Sequence, residues 1–147
     1  ANDNSNGQVV ISGKNEDIDK LISDLKTSNI KNIKLSVSAP FHCPLMREAT
    51  ETMNNVLNKT KFSLPNNMIF SNVTAEPSND PEYIKKLLID QIEKPVRWRE
   101  SIVNMIQSGC KKFIEIGPGK ILSGLVKRID RNVDLIQVNI IDDLKNL

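Results

Sequence analysis

The sequence predicts an α/β protein built around a largely parallel sheet. Short apolar runs of strand length alternate along the chain with longer segments in which apolar residues recur every three or four positions, as on one face of a helix. Gly, Pro, Asn and Asp separate these segments, as is typical of turns and helix ends. The 147 residues contain no internal repeat. The alternation therefore favours strands and helices packed in layers.

The first quarter of the chain is predicted to form one β-α-β unit. A strand is expected over residues 8–12, followed by a helix that opens at Asn15 or Asp17 and ends near residue 28. A second strand is expected over 33–37, a short apolar run that ends at a loop containing Ser and Pro. Two strands and one helix bury too little surface to be stable alone, so this unit should pack against something else.

The remainder of the chain is predicted to alternate helices with short strands. The clearest helix start is at Asp80, which is placed to cap the helix, with Pro81 at its first position and Glu82 near its positive end. The expected elements are helices from 44 to about 59, from 81 to before Pro95, over 98–108 and over 121–129, and strands over 68–72, 113–116 and 135–138.

The composition is that of a soluble globular protein, with 39% hydrophobic and 26% charged residues. A formal charge of +2 is too small to indicate a nucleic-acid partner, and no apolar run reaches membrane-spanning length. Cys43 and Cys110 are isolated and lack metal-ligand spacing. We therefore expect a cytoplasmic protein without disulfides, metal, nucleic-acid partner or membrane partner.

The only histidine of the chain, His42, falls in a loop between the predicted strand at 33–37 and the helix that follows Pro44. In α/β sheets, ligands and catalytic side chains collect in the crevice beyond the strand ends. A neutral imidazole there could act as a general base. The alternative is a surface or packing histidine at a helix start, and spacing alone favours that simpler interpretation.

Four stretches of the chain resemble, in the same order, the malonyl-CoA:acyl carrier protein transacylases. The run Ala-Pro-Phe-His-Cys-Pro-Leu-Met at 39–46 resembles the segment around the catalytic histidine of that family. The other three are the stretches at 4–13, at 91–98 with its Pro-Val-Arg-Trp, and at 115–125 with its Glu-Ile-Gly-Pro-Gly-Lys. The chain is identified by this resemblance as the C-terminal half of a longer enzyme of the family.

The resemblance also implies a domain organisation. Residues 1–37 would be the second half of a small ferredoxin-like (β-α-β) subdomain, and residues 38–147 the C-terminal part of the α/β acyltransferase core. In the family, a serine in a Gly-x-Ser-x-Gly elbow becomes acylated, and a histidine takes its proton and later returns it to the leaving thiol. No Gly-x-Ser-x-Gly occurs in the 147 residues.

By resemblance, His42 is the general base, and the main-chain carbonyl of Gln91 accepts a hydrogen bond from its second ring nitrogen. The nucleophile and the arginine that pairs with the substrate carboxylate belong to the other half of the family. The chain is therefore expected to supply half an active site and to be inactive alone. Malonyl-CoA and acyl carrier protein are the implied partners, and no cofactor is implied.

Three further residues are substrate-binding candidates by resemblance. In related acyltransferases a Phe directly before the histidine, here Phe41, goes with malonyl groups. The ring would fill the space of an α-methyl, which discriminates by about 1–3 kcal/mol; the alternative is a packed core aromatic. Asn4 and Gln8 match positions that face the coenzyme A channel in family members. Asn6 replaces the usual Pro, and loop filler is the alternative for this segment.

Other interpretations stay open at this point. Gly117-Pro-Gly-Lys120 joins a strand to a helix as a phosphate loop does, but Ile121 stands where that motif needs Ser or Thr, so a tight turn is favoured. The chain could also be a non-catalytic module that binds a carrier protein, or the equivalent part of a polyketide synthase acyltransferase domain.

Overall fold

The computed structural model describes residues 1–146 and shows an α/β architecture of short strands and helices. The strands are β1 (Asn2–Ser5), β2 (Gln8–Val10), β3 (Ile69–Phe70), β4 (Pro77–Ser78), β5 (Lys112–Ile116) and β6 (Asp134–Val138). The helices are α1 (Asn15–Thr27), α2 (Arg47–Leu57), α3 (Pro81–Asp90), α4 (Trp98–Gln107) and α5 (Ile121–Ile129), with 3-10 segments at Pro44–Met46 and Ile141–Asn146. The α/β class and the helices expected from the sequence are confirmed.

Within residues 1–146 the strands form three separate pairs, and only β5 and β6 are parallel. The pairs β1–β2 and β3–β4 are antiparallel, so the expectation of a largely parallel sheet is wrong for the described part of the chain. Connection length explains the difference. The first two pairs are joined by short loops, which permit only antiparallel neighbours, whereas α5 provides the crossover that a parallel pair requires.

The strand predicted over 33–37 is not formed, and the β-α-β unit at 8–37 is therefore wrong. The segment has no regular secondary structure, and Ile33, Leu35 and Val37 are exposed, Ile33 by 76%. A strand exists only through hydrogen bonds to a neighbour, and among the described residues β2 pairs with β1 instead. Lys34 makes an ion pair of 2.5 Å with Asp19 of α1.

The start of α3 follows the predicted cap. The Asp80 carboxylate accepts hydrogen bonds from the amides of Glu82 and Tyr83, at 3.0 and 3.3 Å, and Pro81 occupies the first turn. Leu87 of α3 is buried. The apolar core lies mainly among α4, α5, β1 and β6, and its buried hydrophobic residues include Ile102, Leu125, Val126 and Val138.

The segment after α3 is fixed at its far end. The Val96 amide donates to the Ala1 carbonyl at 2.7 Å, and the Val96 carbonyl accepts from the Asp3 amide at 2.9 Å. The Arg97 guanidinium donates to the carbonyls of Val73 and Thr74 at 3.4 and 2.8 Å. Because α3 holds one end and these contacts hold the other, residues 91–97 have a defined path.

Part of the surface is strongly apolar. On β5, Ile114 and Ile116 are 42% and 77% exposed. Burial alternates along β5, and these two residues lie on the face of the strand opposite to its less exposed residues. Ile140 and Ile141, which follow β6, are also exposed. No helix in the described residues is both long enough and apolar enough to cross a membrane.

Candidate active site

His42 lies in an irregular loop one residue before the 3-10 segment Pro44–Met46, so its predicted place ahead of a helix is confirmed, but the strand predicted before the loop is not formed. Its φ is 59°, in the left-handed region that residues with a Cβ seldom adopt. Such conformations cluster at functional sites, where surrounding contacts hold them. The side chain is half-buried, so one side of the ring is fixed and another can be reached.

The Nδ1 atom of His42 lies 2.7 Å from the main-chain oxygen of Gln91. A carbonyl oxygen can only accept, so Nδ1 carries the hydrogen and the neutral ring keeps its lone pair on Nε2. Gln91 is the residue that ends α3, and the last carbonyls of a helix have no partner within the helix. The carbonyl is therefore free to accept this bond, and the two residues paired by the resemblance are in contact.

Two further contacts, neither of them predicted from the sequence, hold the loop. The Ser12 hydroxyl donates to the Phe41 carbonyl at 2.6 Å, and Arg47 Nε lies 3.1 Å from a carboxylate oxygen of Glu93. The partners are 29 and 46 residues apart in sequence. No local spacing pattern could have signalled either contact.

The three substrate-binding candidates occupy different places. Phe41 precedes His42 and is 48% exposed, so its ring is not packed in a core formed by the described residues. Asn4 is half-buried at the irregularity in the β1–β2 pairing. The Gln8 side-chain oxygen accepts a hydrogen bond from Arg128 of α5. The β1–β2 hairpin packs on α4 and α5, whereas the hydrogen bond of the His42 ring within the described residues goes to Gln91.

A small cavity adjoins the Gln91 end of the site. Its volume is about 200 Å³, and its walls come from Ile69–Phe70 and the two residues that follow, from the apolar face of α3, and from Gln91. Small-molecule sites are usually about 300–1,000 Å³ and largely enclosed. This cavity is smaller than that range, so it does not form a complete small-molecule pocket by itself.

The turn after β5 is organised by Glu115. Its carboxylate accepts hydrogen bonds from the amides of Leu122 and Ser123, at 3.0 and 2.7 Å, and from the Ser123 hydroxyl at 2.6 Å. Burial acts to raise the pKa of Glu115, but these hydrogen bonds outweigh it and lower the pKa below its usual value. A carboxylate thus occupies the helix N-terminus that a phosphate would need, and the phosphate-loop interpretation is rejected.

Comparison with known proteins matches the chain to one family. The family model for the acyl transferase domain matches residues 1–144. The malonyl CoA-acyl carrier protein transacylase of Bacillus subtilis (strain 168) is 43% identical over 141 residues, covering 95% of this chain and 44% of that protein. The protein of the same name from Staphylococcus aureus (strain COL) is 38% identical over 146 residues, covering 99% and 47%. The chain spans about half the length of these relatives, as expected for half of such an enzyme.

Solved structures of similar proteins belong to the same class of enzyme as these relatives. An acyl-carrier-protein-S-malonyltransferase from Bartonella henselae superposes with a TM-score of 0.94 at 36% identity, covering 99% of this chain and 47% of that one. A complex of a type II polyketide synthase acyl-carrier protein with its malonyl-transacylase gives a TM-score of 0.92 at 35% identity, covering 99% and 48%. Because the family model matches residues 1–144 of the chain, the chain belongs to the acyl transferase domain family.

Proposed function

We propose that the chain contributes the general-base half of an enzyme that transfers a malonyl group from malonyl-CoA to the pantetheine thiol of acyl carrier protein. The observation that carries the proposal is the 2.7 Å contact between His42 Nδ1 and the Gln91 carbonyl. This contact leaves Nε2 as the proton acceptor. The choice of malonyl group and of carrier rests on similarity to proteins named malonyl CoA-acyl carrier protein transacylase.

In the proposed reaction, Nε2 of His42 takes the proton of a serine hydroxyl that the other half of the fold supplies. The serine oxygen attacks the malonyl thioester carbonyl, and the coenzyme A thiolate leaves with the proton from the imidazolium. The carrier thiol then gives its proton to Nε2 and attacks the acyl-serine, and the serine leaves with that proton. The Gln91 carbonyl orients the ring and stabilises the imidazolium, the part that an aspartate plays in a triad.

The exposed apolar surface supports the half-site proposal. Strands of parallel sheets are normally covered on both faces, yet Ile114 and Ile116 of the parallel pair β5–β6 are exposed. Ile33 and Leu35 are exposed in a segment that has no regular secondary structure and no partner strand among the described residues. We propose that the other half of the family fold covers these surfaces. The division into a ferredoxin-like part at 1–37 and a core part at 38–147 is proposed from the family resemblance alone, since the strand expected at 33–37 is not formed among the described residues.

The carrier protein could belong to fatty-acid synthesis or to a type II polyketide synthase. One similar structure contains a polyketide acyl-carrier protein bound to its malonyl-transacylase, which supports a carrier partner of that class as the second candidate. The position of Phe41 directly before His42 supports a malonyl rather than a methyl-branched group in either case.

The test is a chimera in which the chain replaces the matched part of the Bacillus subtilis relative. Radiolabelled malonyl-CoA and holo acyl carrier protein are supplied, and label on the carrier is measured. We expect transfer by the chimera, none by the chain alone, and strongly reduced transfer by the His42→Ala chimera. Transfer by the chain alone, free of full-length enzyme, would overturn the half-site proposal. A folded chimera that transfers no label would overturn the assigned function.

A further inference from the structure

The peptide bond before His42 is held by a hydroxyl from the β1–β2 region. The Ser12 Oγ donates to the Phe41 carbonyl oxygen at 2.6 Å, and Ser12 itself is half-buried. That carbonyl belongs to the peptide unit whose nitrogen is the amide of His42. A hydrogen bond to it therefore restricts rotation of the whole peptide plane that leads into the left-handed residue.

The segment after His42 is held by an ion pair. Arg47 is the first residue of α2, and its Nε lies 3.1 and 3.4 Å from the two carboxylate oxygens of Glu93. The Glu93 side chain is only 17% exposed, so its charge is partly removed from water and the pairing matters more than at a fully exposed site. Glu93 lies two residues after Gln91, and Arg47 lies in the segment that follows His42. The ion pair therefore joins the segment after the histidine to the segment after its carbonyl acceptor.

The loop has little regular structure of its own to fix the ring. Residues 38–43 form no helix or strand, and His42 has a φ of 59°. A residue with a Cβ persists in this conformation only where neighbouring contacts over-determine it. The contacts from Ser12 and from Arg47 act on opposite sides of His42 along the chain.

We propose that Ser12 and the Arg47–Glu93 pair are positioning residues that keep Nδ1 of His42 on the Gln91 carbonyl. Their catalytic meaning rests on the proposed function, but the ring geometry does not. Without this contact an imidazole prefers the tautomer with hydrogen on Nε2, the nitrogen that has to accept the serine proton. Loosening either tether would therefore shift the ring towards the unproductive tautomer without touching a reacting group.

The tautomer can be measured on the chain itself, because His42 is its only histidine. Ring ¹⁵N and ¹³C NMR of the labelled full chain, at a pH where the ring is neutral, reports a single imidazole. We expect the Nδ1–H tautomer in the wild type. Ser12→Ala should lower the ratio of Nδ1–H to Nε2–H by about three- to tenfold, as for loss of one hydrogen bond. Arg47→Ala should lower it by about two- to fivefold, as for an ion pair with one exposed partner.

Conservative and matched variants separate positioning from general loosening. Ser12→Thr keeps the hydroxyl, and Arg47→Glu combined with Glu93→Arg restores the ion pair, so both should keep the wild-type ratio. Ser23→Ala is the control, because the Ser23 hydroxyl donates to a main-chain carbonyl within α1. It should leave the ratio unchanged. A lowered ratio in folded Ser12→Thr or in the charge-swapped pair would overturn the proposal, which keeps it testable if Ser12→Ala or Arg47→Ala fails to fold.

Three results would each overturn the positioning proposal. The first is that His42 of the wild type carries its hydrogen mainly on Nε2. The others are an unchanged tautomer ratio in folded Ser12→Ala and Arg47→Ala, or an equal shift of that ratio in Ser23→Ala. Malonyl transfer by the unmutated chimera is the separate test of the proposed function. In an active chimera, Ser12→Ala and Arg47→Ala should lower kcat while KM for malonyl-CoA changes little, because no substrate contact is removed.

Discussion

Removing the charge of Glu115 should destabilise the chain in a manner that depends on pH. The carboxylate accepts three hydrogen bonds from the first turn of α5, at 3.0, 2.7 and 2.6 Å. Loss of a helix N-terminal cap costs about 0.5–2 kcal/mol, and a negative charge at that end adds about 0.3–1 kcal/mol. Glu115→Ala should therefore cost about 1–3 kcal/mol of unfolding free energy. Glu115→Gln, which keeps one acceptor oxygen, should cost about 0.5–1 kcal/mol because the half-buried charge is partly screened by solvent.

The sign of the pH dependence follows from the lowered pKa of Glu115. The folded chain binds the proton less readily than the unfolded chain does. The carboxylate therefore contributes its full stabilisation at pH values above 4.5, the ordinary pKa of the group. The contribution is lost as pH falls through the folded-state pKa. The difference in stability between wild type and Glu115→Gln should therefore be constant near neutral pH and shrink below about pH 4.5.

Urea unfolding followed by circular dichroism, repeated from pH 7 into the acid range, measures this difference. Glu51→Gln, at an exposed position of α2, is the matched control and should show a small difference without that pH dependence. A Glu115→Gln difference that is absent at pH 7, or that stays the same into acid, would refute the view that Glu115 acts as a charged cap.

Two further predictions concern the chimera. His42→Ala should lower the rate of enzyme acylation by about 10²–10⁴, as removal of a general base commonly does, whereas Gln91→Ala should be far milder because the main-chain carbonyl is kept. Stopped-flow acylation of the two variants compares them, and near-normal turnover of His42→Ala would make the histidine structural. Phe41→Ser should raise kcat/KM for methylmalonyl-CoA relative to kcat/KM for malonyl-CoA. The expected change corresponds to at most about 1–3 kcal/mol of free energy. An unchanged ratio, with a thermal melt confirming the fold, would defeat the specificity proposal.

Local signals in the sequence were sufficient for the helices. Asp80, Pro81 and Glu82 lie next to one another, and the cap they form involves only amides within the same turn. Amphipathic spacing likewise marks α4 and α5, whose inward residues Ile102 and Val126 are buried. Such features could be predicted because their causes lie within a few residues of one another.

Strand pairing could not be predicted in the same way, because a strand depends on a distant neighbour. The alternating apolar residues at 33–37 favoured a strand, but no described segment pairs with them. The sequence does not predict strand β1, because Asn2, Asp3 and Asn4 are poor strand formers. The Asn6-Gly7 dipeptide that connects β1 to β2 is nevertheless a strong hairpin signal.

At the candidate site, too, local features could be predicted from the sequence and contacts between distant residues could not. His42 stood out as the only histidine, but spacing alone favoured a structural residue. Its pairing with Gln91, 49 residues away, came from the family resemblance rather than from any pattern in the chain. Ser12, Arg47 and Glu93 carry no motif at all, so only the folded structure brings them to notice.

The left-handed backbone of His42 has a consequence for engineering and for evolution. Glycine would suit that conformation better, because a Cβ there costs about 1–2 kcal/mol. A procedure that ranks substitutions by folding free energy alone would therefore choose to replace the one histidine of the chain. Mutational drift in a copy released from its chemical role would tend in the same direction. At this position thermostability and reactivity oppose each other, and the identity of residue 42 in any redesigned version shows which of them was favoured.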